Sequence, residues 1–498
     1  MRSALETTPL VALITGGTGF LGKALISALL DEGYHVLALV RDAGKVVYKD
    51  NKKSMQITPA RERLEGLKKE LNLTATAGQR LHCISGDLAD LDRASIASQI
   101  RHLMDKVIGT GMIDTVISCA ARLNMDYTGQ DPEKAKTIRD DNQATNVDGL
   151  ARMIEVLNRL AEGEHGSRAI IPNVRIMRPS IVAGKDSQDA YMAFIQYLNK
   201  DLGSAKLIDL AREKFSELPA HLVVPMPGNP DSIIDIIGEE DVNRAIMAMV
   251  DYDRKKRPVD EDLVAHRPGE PIRVRNFHQI STAYVNGSMT GKLTETPLPP
   301  EEVVGPQNSY EATKAAGERL LGEWVRQRIV RARSAGTLNP DLAGQSDESI
   351  LKDYLQINQI ANPNSRSAQT VVKETMKAFG WSDQEADRIR LIQDRSVYEK
   401  AVLDLKVSGP FVYKIMKGLW RSVPMLNVYF TRQPGTTFCV QNTTDILGRQ
   451  GLLYNPAQLN AHWIAGRLLD GPVEAPAAAE VFEQAGQEPR RVAVAAKK

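Results

Sequence analysis

The residues best placed to do chemistry are a tyrosine and a lysine four positions apart, Tyr310 and Lys314. On a helix that spacing puts both side chains on one face, with the ammonium beside the phenol. A neighbouring positive charge favours phenolate and lowers the tyrosine pKa, which suits proton transfer near neutral pH. The spacing by itself is unspecific, because Tyr48/Lys52, Tyr252/Lys256 and Tyr413/Lys417 share it. Context separates them. Tyr48 and Tyr252 lie in charged, loop-like sequence, and Tyr413 lies in an aromatic-rich helix with Phe411 and Trp420 that reads as packing. Tyr310 instead follows the helix-cap candidates Asn308 and Ser309 and precedes Ala312, Ala315, Ala316 and Gly317, small enough for close packing. Upstream lies a strand ending Ile280-Ser281-Thr282-Ala283-Tyr284-Val285. A hydroxyl there could donate to a substrate carbonyl oxygen while Tyr310 supplies the proton.

A second constellation sits near the N-terminus. Thr15-Gly16-Gly17-Thr18-Gly19-Phe20-Leu21-Gly22 follows an apolar strand and opens an amphipathic helix. In that place glycines permit a tight turn, backbone N–H groups can approach a pyrophosphate, and the helix N-terminus adds partial positive charge. An NAD enzyme usually places an acid at the end of the next strand to accept from the adenosine ribose. Here the strand ends Leu39-Val40-Arg41-Asp42, with Val40 in the acid's position and Arg41 beside it. A guanidinium can hold a 2′-phosphate through paired donors, so NADP(H) is favoured, the plain alternative for Arg41 being a solvated surface charge. Gly86-Asp87-Leu88, after the third strand, is the expected adenine-contacting turn.

These residues need a scaffold. Apolar runs at Leu10–Ile14, His35–Val40, Leu81–Ile84 and Ile113–Ser118 alternate with helical periodicity at Pro59–Asn72 and Glu133–Leu160. That alternation predicts an α/β fold, a Rossmann-type doubly wound parallel sheet covered on both faces. Further strands are expected at Val174–Met177 and Phe277–Ile280, helices around Ala190–Tyr197 and Ala205–Phe215, and a long helix from about Ser309 to Arg333. The charged, Pro-bearing piece Asp251–Arg275 reads as a linker. The division that follows is an NADP-binding domain over 1–335, with a smaller substrate region inserted at about 186–275. A mainly helical C-terminal domain over 336–470 and a disordered Ala/Pro/Glu-rich tail over 471–498 complete it.

Composition narrows the partners. Lys+Arg 63 against Asp+Glu 62 leaves no basic excess to hold a nucleic-acid backbone, although one basic pocket for a phosphorylated ligand remains compatible. Cys83, Cys119 and Cys439 are far apart and lack metal-type spacing, so no disulfide framework or metal site is expected and a reducing compartment, by default the cytoplasm, is. The N-terminus carries no signal-type apolar core, and no run of about 18 apolar residues exists to span a membrane. The apolar stretch Phe411–Phe430 could line an acyl tunnel or rest peripherally on a membrane surface, but core packing is the simpler reading. Oligomeric state is not legible.

Taken together, Thr15–Gly22, Leu39-Val40-Arg41 followed by Arg63-Leu64, Gly86-Asp87-Leu88, Cys119-Ala120-Ala121, Asn146-Val147-Asp148-Gly149, Ser281–Val285, Asn308–Lys314 and Arg178-Pro179-Ser180-Ile181-Val182 resemble the extended short-chain dehydrogenase/reductases. More narrowly they are similar to the fatty acyl-CoA reductase and thioester reductase branch. The resemblance implies that Asn146 helps hold a proton-relay water, Thr282 polarises the carbonyl and Tyr310 acts as the acid. It gives Lys314 the nicotinamide ribose, sets Pro179 and Ser180 beside the nicotinamide, and puts Ala120 among the cofactor contacts. The bland readings are a helix polar residue for Asn146 and a local turn for Thr282. In the family, the Ser-Thr strand and the Tyr/Lys helix precede the Arg-Pro-Ser strand, whereas here Arg178 comes about a hundred positions earlier. The chain thus resembles a segmental permutation, with the block Ile170–Arg273 moved upstream of Phe277. The implied activity is NADPH-dependent reduction of an acyl thioester, carried by CoA or an acyl carrier protein, to aldehyde or alcohol. A nucleotide-sugar or sterol-like alcohol dehydrogenase and a non-catalytic NADP-binding regulator stay open beside it.

Overall fold

The computed structural model of the chain describes residues 9–49, 52–124, 126, 131–162, 171–183, 213–256, 267–362, 366–378, 381–414 and 436–452. Seven parallel strands form one sheet. They are β1 Val11–Thr15, β2 His35–Val40, β3 Leu81–Ser85, β4 Met112–Ser118, β5 Asn173–Pro179, β6 Arg273–Ile280 and β7 Leu355–Ile360, in the spatial order β7-β5-β6-β4-β1-β2-β3. The expected α/β doubly wound class is the observed one. Around the sheet lie helices α1 Phe20–Asp31, α2 Arg93–Leu103, α3 Gly149–Leu160, α4 Glu239–Lys256, α5 Ser309–Ser334 and α6 Gln441–Arg449.

The strands are apolar throughout because both faces are covered. Alternate residues of a strand point to opposite sides, and β1 divides accordingly. Val11 and Leu13 join a core with Ile96 and Ile100 of α2, Met153 and Leu157 of α3, and Trp324 and Val325 of α5. Ala12 and Ile14 join the other core, with Leu25, Ile26 and Leu29 of α1 and Val242 and Ile246 of α4. Each aliphatic side chain so buried contributes roughly 1.5–3 kcal/mol, which fixes β1 at the centre of a three-layer sandwich.

Beyond the switch at β1, where β4 follows β3 in the chain but pairs with β1, spatial order departs from chain order at β6. β6 is made after β5 yet lies between β4 and β5, with Asn276 opposite Thr115 on one side and Asn173 on the other. A buried polar chain crosses these strands. Thr115 Oγ1 of β4 is 2.7 Å from His278 Nδ1 of β6, and His278 Nε2 is 3.0 Å from the Asp253 carboxylate of α4. Arg175 of β5 donates to both Asp253 oxygens at 2.6 Å through Nε and Nη2, and its Nη1 donates to Asn358 of β7. The Arg175 and Asp253 side chains are 1% and 0% exposed. Burial disfavours charge on Asp253, but the paired guanidinium and His278 hold its carboxyl well below the usual carboxylate range. Burial likewise holds the His278 imidazole below its ordinary value, against the pull of Asp253.

Several expectations need correction. Residues 251–256 end α4 and 273–275 begin β6, so the Asp251–Arg275 segment is a linker at most between them. The region 345–470 is mainly helical where it is described, as expected, but it also supplies β7, which pairs with β5 from Leu355↔Val174 to Ile360↔Pro179. Tyr48 belongs to an antiparallel hairpin, Ala43–Lys49 with Lys52–Thr58, and not to a loop. Tyr252 lies on α4, where Arg449 donates to its hydroxyl at 3.1 Å and the Lys256 ammonium is 5.9 Å from its ring centroid. Lys417, most of the stretch Phe411–Phe430, nearly all of the segment 190–215 and the tail 471–498 lie outside the described residues. Beyond the sheet, Ile181–Ala183 pairs with Ile236–Gly238, and Val224–Pro227 pairs with Ile389–Ile392, so the inserted block and the C-terminal region build a small lobe together. Among the described residues no helix is long and apolar enough to cross a membrane.

The polar chain sets two measurable behaviours. Asp253→Ala leaves Arg175 as an uncompensated buried charge and should cost about 3–5 kcal/mol in denaturant unfolding. A histidine whose folded pKa is depressed makes its full contribution above the unfolded value near 6.5 and loses it as pH falls, because the unfolded chain binds the proton first. Stability should therefore decline between pH 7.5 and 5.5, by up to roughly 1.4 kcal/mol per pH unit for each such group. Chemical denaturation across that range should give a shallower decline for His278→Gln, with the residue from His35 and His82, whose pKa values burial also lowers.

Candidate active site

Parallel register brings four loop starts to one edge. Thr15 is opposite Ser118, Ser118 is opposite Gln279, and Ile280 is opposite Met177. The segments that follow, Gly16–Gly22, Cys119-Ala120, Ser281-Thr282 and Pro179-Ser180, therefore emerge side by side at the carboxyl ends of β1, β4, β6 and β5. In open α/β sheets this edge is where ligands bind.

The glycine loop is built by close approach. Gly16 has φ +72°, and a Cβ there would meet the Ala120 backbone nitrogen at 2.6 Å. A Cβ at Gly22, in the first turn of α1, would collide with the Gly16 carbonyl oxygen. Gly19 N donates to Gly16 O at 2.9 Å, and Ala120 N donates to Thr15 Oγ1 at 3.3 Å. Gly19 caps α1 without a side chain, and Phe20 and Leu21 open the helix. The first-turn N–H groups of such an end are suited to an anion.

At the end of β2 two guanidiniums gather. Arg63 donates to the Arg41 carbonyl at 2.5 Å and to Thr18 Oγ1 at 3.1 Å, joining that strand end to the glycine loop. Burial, then the Arg41 charge, lowers its pKa from the ordinary guanidinium value. Arg41 is half exposed and 3.6 Å from the Asp87 carboxylate. Asp87 also accepts from Ala89 N at 3.0 Å, capping the short turn Leu88–Asp90, and Leu88 is buried against Gly149. Asp42, the acid that follows Arg41, accepts from Ala60 N at 2.8 Å at the start of the helix Ala60–Glu70.

The helix α5 places its lysine at the same edge. Asn308 caps it by accepting from Glu311 N at 2.9 Å. Lys314 Nζ donates to the Ile280 carbonyl at 2.8 Å, directly before Ser281-Thr282. Burial brings the Lys314 ammonium down to about 8, with Cys119 and Glu318 pulling the other way. The Cys119 thiol, beside Ala120, is pushed up to about 11 by burial. Tyr310, one turn before Lys314, is 8% exposed. Asn146 lies in a π turn, Gln143–Asp148, of the helical run from Pro132 to Leu160. It accepts from Arg122 N at 2.9 Å and donates to Arg122 O at 3.2 Å and to Thr313 Oγ1 at 3.1 Å. Thr282 Oγ1 accepts from Tyr284 N at 3.3 Å, the local turn that its residue type allows.

Sequence reasoning missed two buried partners, Asp235 and Glu318. Ser180 donates to Asp235, and Asp235 accepts from Asn362 N at 2.8 Å, so a carboxylate from the inserted block sits behind Pro179-Ser180. Glu318 accepts from Ser281 Oγ at 2.6 Å and from Arg178. Its signal was available, since it follows Lys314 by four residues as Lys314 follows Tyr310.

Comparison with known proteins adds the lineage. An NAD-binding family model described as Male sterility protein matches residues 14–168 and 270–348, two stretches that hold the glycine loop, Asn146, Thr282, Tyr310 and Lys314. No curated protein matches significantly. Among solved structures, the chain is similar to the terminal R domain from the myxalamid PKS-NRPS biosynthetic pathway, at 13% identity, covering 96% of this chain and 92% of that one with TM-score 0.42. It is similar to the Aureusimine biosynthetic cluster reductase domain at 11% identity, covering 92% and 89% with TM-score 0.37. It is also similar to WbmG of Bordetella bronchiseptica, solved with NAD, at 16% identity, covering 55% and 74% with TM-score 0.26.

The loop geometry predicts a binding defect separable from folding. Gly22→Val should weaken dinucleotide binding at least about tenfold in a fluorescence titration while far-UV circular dichroism keeps the wild-type helix signal. Residues 14–168 and 270–348 of the chain match the Male sterility protein family model of NAD-binding domains, and the chain is an NAD(P)-dependent oxidoreductase.

Proposed function

We propose that the protein reduces an acyl thioester, carried by CoA or an acyl carrier protein, with NADPH as reductant and an aldehyde as first product. The observation that carries this reading is the bond from Lys314 Nζ to the Ile280 carbonyl, 2.8 Å long. It ties the Tyr310 helix to the strand end that bears Thr282, beside the edge that bears the glycine loop. NADPH, when bound, supplies the hydride that adds to the thioester carbonyl carbon.

The chain's own residues do the rest. Thr282 accepts from Tyr284 N, which orients its oxygen and leaves the hydroxyl hydrogen to donate to the substrate oxygen. Tyr310 donates to the same oxygen and supplies its proton; collapse of the tetrahedral species then expels the thiol and leaves the aldehyde. The Lys314 ammonium favours the tyrosinate that remains, and Asn146, clamped between Arg122 and Thr313, holds the relay that reprotonates it. Arg41 and Arg63 flank the place of an adenosine 2′-phosphate, and Val40 offers no carboxylate to repel it. Asp87 and Leu88 would edge the adenine. Pro179, with Ser180 held by Asp235, would wall the nicotinamide, and the small lobe would cover the acyl chain.

A substrate panel tests the reading. With fatty acyl-CoA the wild-type protein should oxidise NADPH, and Tyr310→Phe should lose about 10²- to 10⁴-fold in kcat. Turnover of nucleotide sugars only, or activity unchanged in Tyr310→Phe, would reject it. Arg41→Ala with Arg63→Ala should raise KM for NADPH at least about tenfold and leave that for NADH nearly unchanged. Activity should fall as pH rises past about 8, where Lys314 loses its proton.

A further inference from the structure

Tyr310, Lys314 and Glu318 follow one another at four-residue steps along α5 and so share one face of the helix. The reading of the site uses the first two. Glu318 is buried, its side chain 4% exposed, and it is not simply paired with a neighbouring cation. Arg178 of β5 reaches it through Nε at 3.0 and 3.2 Å and through Nη2 at 2.6 Å, and donates from Nη2 to the Thr296 carbonyl at 3.2 Å. Ser281 Oγ donates to the same carboxylate at 2.6 Å. Three pieces expected at the reaction centre therefore meet on one group: the Tyr/Lys helix, the Ser281-Thr282 strand end, and the strand that runs into Pro179-Ser180.

We propose that Glu318 is a positioning residue of the proton-transfer pair, its carboxylate binding Arg178 and Ser281 together and so holding the Lys314 ammonium at the Ile280–Thr282 strand end. The inference rests on the assignment of Tyr310 and Lys314 above. Two short contacts, Lys314 to Ile280 and Glu318 to Ser281, clamp adjacent residues of one strand end to successive turns of one helix. With both in place, Thr282 has a fixed distance from Tyr310. With the second removed, the strand end pivots on the first. Charge matters as well as geometry. The groups facing Lys314 are Tyr310 and Glu318 from its own helix, Cys119 from the end of β4, and Arg178 from β5 behind Glu318. The Cys119 thiol is neutral at physiological pH, so the carboxylate is the group that offsets burial of the ammonium.

Glu318→Gln keeps the shape and an acceptor for Ser281 while deleting the charge and leaving the Arg178 cation nearer in effect to Lys314. Two measurements read it. In ¹⁵N-lysine NMR of the cofactor-free protein, with the Lys314 signal assigned by its loss in Lys314→Arg, the Lys314 titration midpoint should move to lower pH. In turnover, kcat should drop about 10- to 100-fold with the alkaline limb displaced to lower pH, and NADPH affinity should stay within about twofold. An unmoved midpoint together with wild-type kcat would overturn the proposal. Should Glu318→Gln fail to fold, Ser281→Ala cuts only the second clamp. A kcat loss with unchanged NADPH affinity then supports the positioning role, and a wild-type kcat rejects it. A displaced NMR midpoint in a protein with no Tyr310-dependent turnover would uphold the clamp and reject the assigned reaction, so the two ideas fail separately.

Discussion

The arrangement of this protein depends on a buried chain of polar contacts from Thr115 through His278, Asp253 and Arg175 to Asn358. Backbone hydrogen bonds are satisfied in many alternative strand orders, and aliphatic packing tolerates exchange among Val, Ile and Leu. The polar chain does not, because each member left without its neighbour would carry the desolvation cost of an orphaned or charged group in the core. It requires β4, β6, β5 and β7 to lie in that sequence with α4 across them. The gene encodes these strands in a different sequence, so the chain order offers no guidance to the spatial one. Specific side-chain pairing supplies it, the role for which buried ionic groups are best attested.

That order in turn creates the site. With β6 beside β4, the carbonyl of Ile280 comes next to the Cys119-Ala120 turn, and that turn abuts Gly16. Lys314 can then touch the strand end from α5 while standing close to the loop shaped for a dinucleotide. The same placement puts the start of the small lobe, Ile181–Ala183, immediately beyond Pro179-Ser180. Binding edge, the placement of the Tyr310/Lys314 helix and the lobe are thus three results of one strand insertion. The family-model match over residues 14–168 and 270–348 fits that geometry, since the matched stretches skip the block between them and resume at β6.

Much of this was legible in the residues. The glycine loop, the first four strands and the helix of Tyr310 all came from local signals that local physics makes reliable. What escaped was held by distant partners. β7 reads Leu-Gln-Ile-Asn-Gln-Ile, and its amides mask the apolar run. In the structure Asn358 serves Arg175, and Gln359 donates to the carbonyls of Leu293 and Thr294. Asp253 sits in Asp-Tyr-Asp-Arg-Lys-Lys, a composition that suggests a solvated linker, yet its side chain is fully buried. Two- and three-residue strands of the lobe, such as Ile233–Ile234 with Arg366–Ser367, have no periodicity to detect. Polar character looked like exposure wherever the compensating partner lay far away in sequence.

The interleaving of β6 between β4 and β5 also bears on how the molecule is made. During synthesis from the N-terminus, β4 is complete some 155 residues before its neighbour β6 exists, and β5 appears first without an adjacent place on the sheet. The nascent domain must therefore carry an open β4 edge, with unpaired N–H and C=O groups, until ribosomal elongation delivers Arg273–Ile280. A correct sheet closes only after that late insertion, so the interior of the protein is filled at its middle after the strands on both sides of the gap are made, and its assembly is governed by long-range pairing, the slow regime of folding.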